Sequence, residues 1–168
     1  MGLVLRNFHH EVICGLAFAA QSKAATGTSN GSTISEPWRK GRQISFVCVG
    51  GAFATNASLE IKVQGLKRSD GTTWEDIADG DGVNDLQITA SLLDDGDTGG
   101  LENGVLIGSL DLTAMDSTTY KAIRLAVSEN GGSGGGAALL GIAYLIYDLY
   151  EHPSGTVDQM FDAQRYGP

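Results

Sequence analysis

The chain has 168 residues and a formal charge of −9, with 42% apolar and 18% charged side chains. Its 24 glycines are about twice the usual share and its charged fraction is below average. This composition excludes a disordered chain, and the net charge argues against general binding to a nucleic-acid backbone. No apolar run reaches the roughly 18 residues of a membrane-spanning helix, so neither nucleic acid nor membrane is an expected partner. One domain over residues 1–168 is expected.

Alternation with a period of two dominates the pattern. Val12 to Ala19 is a short apolar run. It ends in Ala17-Phe18-Ala19, which mimics a leader cleavage site, but only Arg6 stands upstream and Glu11 abuts it, so it reads as a core strand. Residues 20–43 are small, polar and then basic. They read as an extended arm or loop, with Trp38, Arg39, Lys40 and Arg42 as candidate contacts to a charged partner or a neighbouring subunit. Ile44–Val49 is nearly continuous in apolar residues and predicts a central strand covered on both faces. Leu59, Ile61 and Val63 alternate with Glu60, Lys62 and Gln64, the mark of a half-buried strand. Ser69-Asp70-Gly71-Thr72 supplies the turn of a tight hairpin to residues 73–77.

Residues 79–119 read as an acidic, loop-rich insertion containing short strands at 86–90 and 104–112 and a short turn at 112–119. Ile123, Leu125 and Val127 alternate in a further strand. Gly131 to Gly136 reads as a hairpin loop leading to Gly141–Tyr150, apolar on both faces. Two-sided apolar strands of this kind offer more apolar surface than one small sandwich can bury, which predicts subunit contacts. Residues 153–168 form a tail. Seven to eight strands with glycine-rich turns predict an all-β fold, an antiparallel β-sandwich of jelly-roll type.

Charge is segregated. Residues 1–68 carry eight Lys/Arg against three Glu, net +5; residues 69–120 carry no Lys or Arg against ten Asp and two Glu, net −12. Such poles orient a protein on a charged partner. Asp79, Asp81 and Asp85 alternate like the start of a calcium loop, but Asn84 and Ala90 stand where that loop needs Gly and Glu. Solvated turns are the plainer reading, and no metal or other cofactor is expected. His9-His10-Glu11 on one strand would point its histidines to opposite faces. No nucleophile, zincin or phosphate-loop motif occurs, so no catalytic residue is assigned and an enzyme is not expected. Cys14 and Cys48 both lie in apolar runs; buried free thiols are the plainer reading, and a disulfide between them is the alternative. Tyr144 and Tyr150 share one face of the last strand and Tyr147 opposes them. They suit a core or subunit interface, or a sugar platform.

The run Val63-Gln64-Gly65-Leu66-Lys67-Arg68-Ser69-Asp70-Gly71-Thr72-Thr73-Trp74-Glu75-Asp76-Ile77 resembles a hairpin of small virion proteins of tailed bacteriophages. Tyr120–Val127, the glycine-rich stretch, the apolar strand to Tyr147 and the ending Arg165-Tyr166-Gly167-Pro168 follow in the same order, so the resemblance spans about residues 44–168. The acidic 79–119 and the longer N-terminal part depart from that pattern. The resemblance implies a head decoration or cement protein, made in the bacterial cytoplasm and located on the capsid surface. It implies the major capsid protein as partner and, by analogy with other cement proteins, a homotrimer, with a dimer as the alternative. A carbohydrate- or receptor-binding sandwich is the rival reading, and a tail or head–tail junction protein a further one.

Overall fold

The computed structural model describes residues 12–23, 28–53, 59–78, 87–88, 103–129 and 138–149. These form ten strands: β1 (Val12–Lys23), β2 (Thr28–Asn30), β3 (Ile34–Ser35), β4 (Gly41–Phe53), β5 (Leu59–Lys67), β6 (Trp74–Asp76), β7 (Gln87–Ile88), β8 (Val105–Asp111), β9 (Tyr120–Glu129) and β10 (Ala138–Leu149). The single described helix is one 3-10 turn, Pro37–Arg39. Among the described residues no helix is long and apolar enough to cross a membrane.

Two antiparallel sheets make a β-sandwich. The first has the order β1-β10-β4-β8; the second has β2-β9-β5-β6, with β3 also on β9 and β7 also on β5. The core lies between them. The first sheet contributes Phe18, Ile44, Phe46, Cys48, Leu140, Ile142 and Ile146, and the second Ile34, Leu59, Ile61, Val63, Ile123, Leu125 and Val127. These are alternate residues of each strand, as a pleated strand requires. The β5–β6 hairpin forms as the turn residues predict. Gly71 takes φ +69°, and the Asp70 carboxylate accepts the backbone N–H of Thr72 and of Thr73, both at 2.9 Å. Gly65 lies under the Tyr120 ring, where a Cβ would come within 2.4 Å of it.

Several expectations change. Residues 20–43 are not a free arm: β1 runs on to Lys23, β2 and β3 pair with β9, and β4 starts at Gly41. Backbone N–H bonds from Gly31 to Leu125 O and from Ser32 to Ala17 O, each 2.8 Å, tie this stretch to both sheets. The acidic 79–119 is not wholly an insertion, because β8 within it is a full strand of the first sheet. Residues 112–119 make hydrogen-bonded turns, as their sequence predicts. The 131–136 glycines lie outside the described residues; the strands on either side of them, β9 and β10, belong to different sheets and do not pair as a hairpin. Residues 153–168 also lie outside the described set.

Candidate interaction face

The two outer faces of the sandwich differ in kind. On the second sheet, Glu60, Lys62, Gln64, Trp74, Asp76, Arg124 and Ser128 stand on one side by their register. Polar contacts lace them together. Lys62 Nζ lies 3.4 Å from an Asp76 carboxylate oxygen, Gln64 donates to Asp76 at 2.7 Å, Arg124 donates to Gln64 at 2.9 Å and Ser128 donates to Glu60 at 3.2 Å. This is a solvated face.

The first sheet presents the opposite chemistry. Residues directly paired across strands share a face, which arranges its outer side in rows. Cys14, Leu145, Ser45 and Ser109 form one row; Leu16, Ala143, Val47 and Ile107 the next; Gly141, Val49 and Val105 a third. No charged residue occurs in these rows. The large apolar side chains that stay exposed among the described residues are Val105 (64%), Ile107 (63%), Leu16 (53%), Val49 (51%) and Leu139 (47%), all on strands of this sheet. Leu139 reaches over Gly51, where a Cβ would meet its Cδ2 at 2.6 Å.

The two-sided covering expected for Ile44–Val49 is therefore half right. Its inner phase, Ile44, Phe46 and Cys48, is buried, whereas Val49 on its outer phase stands open. A contiguous apolar area on an otherwise polar surface marks a protein-contact site. One end of the face is polar. The Ser45 and Ser109 hydroxyls lie 2.8 Å apart, Ser45 Oγ donates to the Tyr147 hydroxyl at 3.2 Å, and Gln43 pairs with Asp111 in the row beyond. Thr113 donates its N–H and its hydroxyl to the Asp111 carboxylate, and these bonds hold that carboxyl below its ordinary range.

The candidate residues from the sequence fall at separate places. Tyr147 is on the outer face. Tyr144 points inward and packs against the core, its ring across Gly15, where a Cβ would come within 2.6 Å. Tyr144 and Tyr147 thus stand on opposite faces of β10, as their spacing predicts. Burial raises the Tyr144 phenol above its ordinary range. Trp38 is half-buried against the core. Trp74 is covered by the Arg124 guanidinium, 4.2 Å from the ring centroid. Tyr150 and the histidines lie outside the described residues, as do Asp79, Asp81 and Asp85.

The basic cluster has acidic neighbours. Arg39 Nε lies 3.4 Å from Glu36, and Arg42 Nε 3.8 Å from Asp148. Glu36 also accepts from Arg68 at 2.7 Å, and that bond holds its carboxyl below the ordinary range. Lys40 closes the 3-10 turn with its backbone N–H on Pro37 O at 2.9 Å. The cysteines are both free, but only Cys48 is buried; Cys14 is exposed on the apolar face. They flank β10 from β1 and β4 and point to opposite faces of the sheet. Burial pushes the Cys48 thiol up to about 11. Among the described residues no cluster of His, Cys, Asp and Glu is placed to hold a metal ion.

Leu16, Val49, Val105, Ile107 and Leu139 were not singled out by sequence reasoning. The available signal was the presence of apolar residues on both phases of 44–49, 105–110 and 139–147.

No protein-family model matches the chain, and no curated protein matches it. Among solved structures it is similar to the crystal structure of the infectious bursal disease virus VP2 subviral particle, at 14% identity and a TM-score of 0.41, over 82% of this chain and 33% of that one. Structures of the Gx and Gt strains of the same virus show 10% identity over 92% of this chain, with TM-scores of 0.27 and 0.26. The chain spans 47% and 49% of their lengths, so all three neighbours are at least about twice as long as this chain.

Proposed function

We propose that this chain is a non-enzymatic structural protein of a virus particle, a head decoration or cement protein of a tailed bacteriophage. The observation that carries the reading is the uncharged apolar face of the first sheet. A sandwich whose core is closed between its sheets, yet which keeps a second apolar surface, is built to be covered by protein. The residue pattern over 44–168 supplies the phage context. The basic segment Arg39, Lys40 and Arg42 gives an acidic molecule one pole with which to meet the major capsid protein on the outside of the shell.

The test is co-sedimentation of the purified chain with phage heads stripped of minor proteins, at low and high salt. Saturation at copies on the order of hundreds per head is expected for a decoration site repeated by the shell symmetry. Weakening with salt is expected where the basic segment contributes. Saturation at about a dozen copies or fewer would move the protein to the tail or head–tail junction. No binding to any head would overturn the reading.

A further inference from the structure

The apolar face has an internal pattern that identifies its occupant. In each of the three apolar rows across the two central strands, a large side chain stands beside a small one. Val47 is paired with Ala143, Val49 with Gly141, and Leu145 with Ser45. The large member is on β4 in two rows and on β10 in the third. A twofold axis lying in the plane of the face, parallel to the strands and between β4 and β10, exchanges these two strands and keeps each row. It sets every large side chain over the partner's small one, and it brings Leu16 of the β1 edge over Ile107 of the partner's β8 edge.

We propose that this face packs on the same face of a second copy of the chain about such an axis, an inference that rests on reading the face as an interface. A twofold contact needs a surface that complements itself, and the alternation of large and small across β4 and β10 provides one. The charge distribution agrees. Two copies of a chain with net charge −9 repel each other, and they approach most readily through a patch without charge. The polar atoms of the patch are already partnered. Ser45 Oγ is bonded to both Ser109 and Tyr147, so covering it with Leu145 leaves no orphaned hydroxyl. A twofold axis perpendicular to the strands is disfavoured. It lays each strand over its own copy, so about the middle of the three apolar rows it sets Val47 on the partner's Val47 and Ala143 on the partner's Ala143, large on large and small on small.

Size sets the strength of the pairing. Four strands about 4.8 Å apart and three same-face rows about 6.8 Å apart give roughly 400 Å². That is about half of what each partner contributes to a standard stable interface. The pair is therefore weak in dilute solution and becomes favourable at the high local concentration of a particle surface. The proposal thus takes the dimer that stood as the alternative to the trimer implied by the family resemblance.

Sedimentation equilibrium of the full chain from about 1 μM to about 1 mM, a range chosen for weak association, reads the stoichiometry. The wild type is expected to move from monomer to dimer and stop there. Ala143→Val places valine over the partner's Val47 and is expected to weaken the dimer about tenfold through overpacking. The exchange Val47→Ala with Ala143→Val restores large over small and is expected to return affinity to within about threefold of wild type. Both positions lie on the outer face, and thermal melts check that each variant is folded. A monomer throughout, a trimer or open polymer, tighter association by A143V, or no recovery in the exchange variant would each overturn the proposal. Failure here is separable from failure of the virion role. A dimer that binds no heads refutes only the latter, and a head-binding monomer refutes only the dimer.

Discussion

Ile142 and Ile107 are isoleucines on strands of one sheet, but Ile142 is fully buried whereas Ile107 is 63% exposed. Truncating each to alanine therefore separates core from docking face with one chemistry. Ile142→Ala removes three carbons from between the sheets and is expected to cost about 2–5 kcal/mol, transfer and cavity together. Full burial of such a side chain stabilises by about 1.5–3 kcal/mol, so Ile107, little more than a third covered, should cost only about 0.5–1 kcal/mol. The lower strand preference of alanine acts at both sites and largely cancels. Urea unfolding at about 1 μM, where a weak dimer is dissociated, measures the difference through the midpoint at constant slope. If Ile107→Ala proves as costly as Ile142→Ala, the outer face is covered within one chain, and its reading as an interface fails.

Two further outcomes follow from the same structure. A thiol reagent at neutral pH should label Cys14 quickly and Cys48 only on unfolding, because Cys14 is exposed and Cys48 is buried with its thiol pushed up to about 11. Two fast thiols, or none, would contradict the placement of these residues on opposite faces. Acid should remove stability held by turn carboxylates. Hydrogen bonds from Thr73, then Thr72, lower Asp70 to about 2, and bonds from Thr118 and Thr119 lower Asp116 further still. A folded value below the unfolded one gives stability that is present above the unfolded value near 3.8 and lost as pH falls toward 2. Asp70→Asn and Asp116→Asn should therefore melt lower than wild type at pH 7 and approach it near pH 2. A gap that does not narrow in acid would refute this account.

The amino-acid sequence by itself determined that the protein is an antiparallel β-sandwich. Period-two alternation in Leu59–Val63 and Ile123–Val127 and the Asp70-Gly71 turn are local signals, and local signals suffice for strands with one wet face. Only the tertiary structure decided which phase of the two-sided strands is core. Ile44–Val49 and the run to Tyr147 carry apolar residues on both phases, and alternation cannot rank two apolar faces. The ranking depends on which strands become neighbours, and those pairings join residues about a hundred positions apart, such as Val47 with Ala143 and Cys14 with Leu145. The same non-local pairing put β9 and β10 in different sheets, drew β2 and β3 out of an expected arm, and separated Cys14 from Cys48. The candidate face lies on the phase that the core left over, so its residues became visible only when the register was known.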